Sequence, residues 1–153
     1  MRKTILTYGT FDMFHIGHLK LLQRLSSMGD ELIVAVSTDE FNKLKNKTTL
    51  IPYEQRAEII ENIKCVDFVI PEKSWDQKIE DIKKYNVDIF SIGNDWEGEF
   101  DFLKEHCEVV YLDRTENIST TKLKKSLTNF LSIPKEDILN AFKVIETLKK
   151  DFE

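Results

Sequence analysis

The sequence predicts an α/β protein: an open parallel sheet of five strands with helices on both faces, followed by a C-terminal amphipathic helix. Three observations predict it. Short apolar runs rich in Val, Ile and Leu alternate with longer amphipathic stretches, the pattern of parallel strands joined by crossover helices. No fixed-period repeat and no Gly/Ser/Pro-rich linker interrupts this alternation before about Leu131. The length of 153 residues suits one domain, and 41% hydrophobic residues suffice for a core.

The strand signal falls on residues 4–8, 31–37, 67–70, 88–93 and 108–112, each bounded by Gly, Asp, Asn or Pro. A helix is predicted over 16–28, where Leu19, Leu22 and Leu25 recur at spacings of three. The next, over 52–63, opens with Pro52, suited to a first helical turn. Residues 75–85 and 100–106 fill the following crossovers, and Ser119 starts a helix running through Leu123 and Leu127. The resulting order, βαβαβαβαβα, describes a Rossmann-like sheet. Beyond Leu131, Ser132-Ile133-Pro134 reads as an N-cap and first turn, and Ile138, Leu139, Phe142, Ile145, Leu148 and Phe152 form a stripe at helical spacing. We therefore expect a main domain over 1–130 and a helical extension over 131–153. That stripe can dock on the domain, pair with its copy in a dimer or meet another protein.

Composition excludes several function classes. With 22 Lys+Arg against 27 Asp+Glu the net charge is −5, so the chain has no global basic field and neither nucleic acid nor an anionic membrane is an expected partner. No stretch approaches the roughly 20 apolar residues of a membrane span, and the N-terminal apolar run is too short for a signal peptide. Cys65 and Cys107 lie far apart without C-x-x-C spacing, which fits a reducing compartment and small-hydrophobe roles. A cytoplasmic protein is expected, and any anion site must be built locally.

In open α/β sheets ligands bind beyond the carboxyl ends of the strands. The first strand ends in Gly9-Thr10-Phe11-Asp12-Met13-Phe14-His15-Ile16-Gly17-His18. His15 and His18 sit three apart at a helix start, so both imidazoles project on one face, where amides and the positive dipole end attract phosphate. A single histidine there is ordinarily a cap or a surface residue. The pair with Gly17 between them matches the nucleotidyltransferase H-x-G-H pattern, whereas a zinc reading fails because H-x-x-H lacks a third ligand, so no protein metal site is expected.

A second constellation, Arg114-Thr115-Glu116-Asn117-Ile118-Ser119-Thr120-Thr121, follows the last strand and opens a helix. Arg114 can fork onto phosphate oxygens, and the hydroxyls and free backbone amides at the helix start add donors, although a Ser/Thr N-cap alone would look the same. Lys45 and Lys47 lie in a polar stretch, 42–49, that reads as a mobile lysine-rich loop able to close over phosphates.

Taken together, Gly9-Thr10-Phe11-Asp12 with His15-Ile16-Gly17-His18, Ser37-Thr38-Asp39-Glu40-Phe41, Gly93-Asn94-Asp95-Trp96-Glu97-Gly98, and Arg114-Thr115-Glu116 with Ile118-Ser119-Thr120-Thr121 resemble the glycerol-3-phosphate cytidylyltransferases. The resemblance runs from about Lys3 to Leu127. It implies transfer of CMP from CTP to sn-glycerol 3-phosphate, with Mg²⁺ on the triphosphate as cofactor, in a homodimer that serves a cell-wall or capsule polymer containing glycerol phosphate. By similarity, His15, His18, Lys47 and Arg114 are the catalytic set. Thr10, Phe11, Ile16, Gly17, Asp95 and residues Thr115, Glu116, Asn117, Ile118, Ser119, Thr120 and Thr121 join them in seating the nucleotide. Lys45 and Lys78 are the expected acceptor contacts, supported by Arg56, and Trp75 or Trp96 lines the acceptor pocket or packs at its edge. Asp12, Asp39 and Asp95 orient cations or a ribose hydroxyl. Asn117 stands where the family pattern has glycine, and Lys64 where it can have arginine. Two alternatives stay open: a cytidylyltransferase for ethanolamine phosphate, choline phosphate or another polyol phosphate, and a non-catalytic CTP-binding module.

Overall fold

The computed structural model describes residues 2–115 and 119–150. Its strands are β1 (Thr4–Gly9), β2 (Glu31–Ser37), β3 (Phe68–Glu72), β4 (Ile89–Gly93) and β5 (Glu108–Leu112). The helices are α1 (Ile16–Ser26), α2 (Asp39–Leu44), α3 (Tyr53–Glu61), α4 (Gln77–Lys84), α5 (Thr120–Leu131) and α6 (Lys135–Lys150), with 3-10 turns at Asn94–Trp96 and Asp101–Glu105. The strands are all parallel and lie in the order β3-β2-β1-β4-β5. The chain thus builds outward from β1 on one side, then crosses to β4 on the other. The crevice at this reversal, between the carboxyl ends of β1 and β4, is where such sheets take ligands.

Alternation along the central strands explains why both faces carry helices. Leu6 and Tyr8 of β1 and Ile33 and Ala35 of β2 pack on one side with Ile82 of α4, Phe100 and Leu103. Ile5, Leu32, Val34 and Val36 pack on the other with Leu22 and Leu25 of α1 and Ile60 of α3. Strands buried on both faces read as continuous apolar runs, as these do.

The departures from expectation have local causes. Strand β3 runs on through Pro71 to Glu72 instead of stopping at Ile70; it is an edge strand, where the missing proline N–H costs no ladder bond. Asp67 and Asp88, expected inside strands, precede them and accept the backbone N–H of Leu32 and of Thr4, each at 2.8 Å. Pro52 is the N-cap of α3 rather than a residue of its first turn. The crossover expected as a helix over 100–106 is the second 3-10 turn. The predicted loop over 42–49 begins inside a helix, because Thr38 caps α2 by accepting the Phe41 N–H at 3.2 Å and Phe41 and Asn42 are buried.

By compactness the chain divides into two units, Met1–Ile118 and Ser119–Glu153. In the second, the expected C-terminal helix is α6, and neither α5 nor α6 contains a buried residue.

Candidate active site

The turn from β1 into α1 is held in an unusual shape. Phe11 and Met13 have φ of 52°, a left-handed conformation that costs a side-chain-bearing residue roughly 1 kcal/mol or more. Between them, buried Asp12 accepts the backbone N–H groups of Leu50 (2.9 Å) and Ile51 (3.0 Å). Gly9 is required by close approach: a Cβ there would stand 2.6 Å from the Phe11 ring. That ring, folded back over the strand end, meets His18 edge-on at 5.4 Å.

The H-x-G-H segment caps its own helix with both histidines. His15 Nδ1 accepts the Gly17 N–H at 3.0 Å, and His18 Nδ1 accepts the His15 N–H at 3.3 Å. The two rings stack with centroids 3.9 Å apart. Because each Nδ1 serves as an acceptor, each neutral ring carries its proton on Nε2. Burial keeps both imidazoles below their ordinary pKa. That of His18 is lowered to about 4, by burial first and then by His15, against a small opposing effect of Asp12. At neutral pH the helix start therefore presents two uncharged Nε2–H donors beside its own backbone amides, an arrangement for phosphate oxygens. Exposed Ile16 and buried Gly17 complete this turn.

Beside it lies a small cavity of about 120 Å³ lined by Tyr8, Gly9 and Thr10 from the end of β1, Ile92 from β4, and Glu72, Trp75, Trp96 and Phe100, with Lys45, Lys47 and Lys78. Thr10 belongs both to this wall and to the H-x-G-H turn. Lys78 is 1% exposed, and its Nζ lies 3.1 Å from Glu72 Oε1 and over the rings of Tyr8 (4.4 Å), Trp75 (5.3 Å) and Phe100 (5.4 Å). Lys45 Nζ lies 3.5 Å from Glu72 Oε2 and 4.3 Å over Phe41. Lys47 Nζ sits 5.5 Å over Trp96. Three ammonium groups against one carboxylate leave the cavity positive. The Lys45 pKa is lowered by burial and by Lys47 and Lys78, and Glu72 opposes the fall.

The structure thus gathers Thr10, Lys45, Lys47 and Lys78 into one cavity, with Trp75 and Trp96 both in its wall. Arg56 stands elsewhere. At 1% exposure its guanidinium donates to Thr10 O (2.7 Å), Ile51 O (2.8 Å) and Asp39 Oδ1 (2.7 Å), so it is committed to holding the site's backbone rather than to contacting an acceptor. Asp39 also accepts Tyr53 N–H at 2.9 Å and the Thr49 hydroxyl at 3.3 Å, which accounts for its lowered pKa despite partial desolvation. Asp95 pairs with Arg114, whose Nε donates to Oδ2 at 2.7 Å and whose Nη2 binds the same oxygen. The neighbouring Asp113 accepts from Arg24 of α1 and Asn94. Thr115 is partly buried. Glu116, Asn117 and Ile118, with Asn117's glycine position, lie outside the described residues. Ser119 caps α5 by accepting the Lys122 N–H at 3.1 Å, and Thr120 and Thr121 form its first turn, in the second unit. Lys64 is exposed in the α3–β3 turn, at the amino-terminal end of β3 and so at the sheet edge opposite the cavity.

Sequence reasoning missed Glu72, the carboxylate that holds two of the lysines. Ending the strand at Ile70 removed it from the row of strand termini that line the crevice; an edge-strand reading of Pro71 would have found it.

A helix start offering two imidazole N–H donors next to a cavity with three lysines is built to hold two anions side by side, which places the chain in the α/β nucleotidyltransferase class. Residues 6–126 match the family described as Cytidylyltransferase-like, and the chain belongs to that family. Among its relatives, a glycerol-3-phosphate cytidylyltransferase of Staphylococcus aureus (strain NCTC 8325 / PS 47) is 59% identical over 125 residues, covering 82% of this chain and 95% of the relative. One of Bacillus subtilis (strain 168) is 58% identical over 82% of this chain and 97% of its own length. An FAD synthase of Pyrococcus abyssi (strain GE5 / Orsay) is 33% identical over 83% of this chain and 93% of its own. In fold, the chain resembles the lipopolysaccharide core biosynthesis protein from Thermoplasma volcanium GSS1, with a TM-score of 0.68 at 23% identity over 76% of this chain and 100% of that one.

The histidine geometry sets a pH dependence. Because the His18 pKa is about 4 when folded and near its ordinary 6.5 when unfolded, the unfolded chain takes up this proton first as pH falls. Stability contributed by His18 is complete above pH 6.5 and is lost progressively down to about pH 4. NMR titration of the imidazole should give a midpoint near 4; a midpoint at or above 6.5 would contradict the capping geometry.

Proposed function

We propose that the chain transfers CMP from CTP to sn-glycerol 3-phosphate, forming CDP-glycerol and pyrophosphate. The cavity carries this reading: it is far smaller than the roughly 300–1,000 Å³ of a drug-sized ligand site, adjoins the H-x-G-H turn through Thr10, and is strongly cationic, as a small phosphate monoester requires. The 58–59% identity to glycerol-3-phosphate cytidylyltransferases over nearly their whole length supports the same acceptor. Ethanolamine phosphate or choline phosphate would bring a cation into a space already holding three ammonium groups, which disfavours both.

A phosphate monoester is an anionic nucleophile near neutral pH, so no side chain has to remove a proton. An acceptor oxygen forms a bond to the α-phosphorus while the bond from that phosphorus to the bridging oxygen breaks, its electron pair leaving on pyrophosphate. Lys45 and Lys78 hold the acceptor phosphate in line, and Lys47, at the cavity rim, offsets negative charge between the two anions. Nε2–H of His15 and of His18 donate to the non-bridging α-phosphate oxygens as charge grows there. Thr10, Phe11, Ile16 and Gly17 seat the nucleotide against the helix start. Arg114, with Thr115, takes the leaving phosphates, and Asp95 orients the guanidinium.

Among the described residues no group of three His, Cys, Asp or Glu side chains is assembled for a metal ion. Asp12 is committed to the Leu50 and Ile51 amides. Mg²⁺ would enter with the triphosphate of CTP and would supply charge neutralisation there.

Among the described residues no helix is long and apolar enough to cross a membrane, and we place the reaction in the cytoplasm, where CTP is available, supplying a glycerol-phosphate-containing wall or capsule polymer. The enzyme acts as a homodimer in this reading. Gel filtration with light scattering should give twice the chain mass, and a monomer at micromolar concentration would remove the dimer from the account.

The test of the activity is pyrophosphate release with CTP and sn-glycerol 3-phosphate. His15→Ala and His18→Ala should each lower kcat by roughly two orders of magnitude or more. Near wild-type turnover in either variant, or faster release with ethanolamine phosphate or choline phosphate, would overturn the reading.

A further inference from the structure

We infer that Glu72 is a positioning residue for the acceptor: its carboxylate bridges Lys45 and Lys78, fixes the spacing of their ammonium groups and holds the cavity's net charge at the value a dianionic phosphate monoester matches. The inference rests on the proposed acceptor site and adds a residue to which that reading gave no role.

Glu72 is 4% exposed, at the last position of edge strand β3, and its backbone carbonyl accepts the Thr38 N–H at 3.0 Å. The strand end is therefore tied to the N-cap of α2, the helix that delivers Lys45. One carboxylate oxygen takes Lys78 at 3.1 Å and the other takes Lys45 at 3.5 Å. A bridging carboxylate of this kind spends one N–H of each ammonium and leaves the remaining donors for a ligand. It also settles the charge. Lys45, Lys47 and Lys78 with Glu72 sum to +2, whereas the lysines alone would sum to +3 in a space walled by Tyr8, Trp75, Trp96 and Phe100.

Ammonium groups that are close together and desolvated tend to lose protons. The charged and titratable groups around this pair are Glu72, Lys47, Tyr8 and, behind Tyr8, Asp81, which accepts the tyrosine hydroxyl at 2.5 Å. Of these, Glu72 is the carboxylate in direct contact with both lysines. Burial already lowers the Lys45 pKa, and Lys47 and Lys78 lower it further, so loss of Glu72 removes the main opposing influence. Lys78, enclosed by three rings, has no other carboxylate within salt-bridge distance among the described residues. A residue that merely stabilised the fold would leave the protonation of Lys45 and the balance between the two substrates unchanged.

The experiment uses the full chain and the variants E72Q, which keeps the shape of the side chain, and E72D, which keeps its charge, with the lysines labelled at Cε. In E72Q the KM for sn-glycerol 3-phosphate should rise at least about tenfold while the KM for CTP stays within about threefold. The Lys45 titration should move down by about one pH unit or more, taking the alkaline limb of acceptor binding with it. E72D should recover part of both changes. K45M/E72Q should lose less acceptor affinity than the two single losses combined, because part of the bridge acts through Lys45 and the rest through Lys78. Equal rises in both KM values, or a Lys45 titration unchanged in E72Q, would overturn the inference, as would fully additive losses in the double variant. The lysine titration needs no turnover. A wild-type chain that makes no CDP-glycerol would refute the proposed reaction, while a lowered Lys45 titration in E72Q would still establish the bridge.

Discussion

The backbone leaves β1 through two residues in the left-handed region, and it is kept there from outside by a clasp. Asp12 takes the amides of Leu50 and Ile51, while Arg56 reaches back to the carbonyls of Thr10 and Ile51. These contacts join two parts of the chain nearly forty residues apart: the turn that aims the histidines, and the segment between α2 and α3 that follows the lysines. Strain of this kind persists only where the surroundings over-determine it. Here the surroundings are a buried guanidinium whose donors meet two carbonyls and a carboxylate, and a buried carboxylate that meets two amides. The histidine turn and the lysine segment are held adjacent because they share this clasp.

The charge distribution follows a consistent logic. The imidazoles are kept neutral by burial and by their own capping bonds, so they act as directional donors. The cationic charge is placed one step away, on lysines enclosed by aromatic rings and divided by one glutamate. Ring faces attract an ammonium without competing for its N–H bonds, leaving those bonds for phosphate. A chain with an overall charge of −5 therefore builds a locally positive cavity without a basic surface. Charge alone would predict no phosphate partner.

Much of this was legible in the residues. Apolar runs alternating with amphipathic stretches gave all five strands within a few residues, because strands buried on both faces leave an unambiguous pattern. The H-x-G-H segment announced itself by spacing and by what phosphate chemistry needs, whereas the lysines took their roles only from the family resemblance. What remained hidden depended on tertiary contacts. Nothing local distinguishes Arg56, which turns inward to hold Thr10, from an arginine facing ligand. Glu72 was hidden by Pro71, which reads as a strand terminator unless the strand is known to lie at an edge. The six residues of α2 fall below the length at which helical periodicity can be read, so its second half, from Asn42 on, merged with the polar loop that follows. The exposed apolar side chains on α6, among them Ile138, Phe142 and Ile145, follow the helical stripe read from the sequence, but periodicity names no partner.

The clasp, not loop mobility, places the lysine segment against the histidine turn. Hydrogen exchange at the amides of Leu50 and Ile51 measures this directly, since both are donors to Asp12. If the clasp holds, these amides exchange slowly, close to the rate of the β1 core amides, and Asp12→Asn releases them along with faster exchange at Gly17. Rapid exchange of Leu50 and Ile51 in the wild-type chain, at the rate of an open polar loop, would contradict the account.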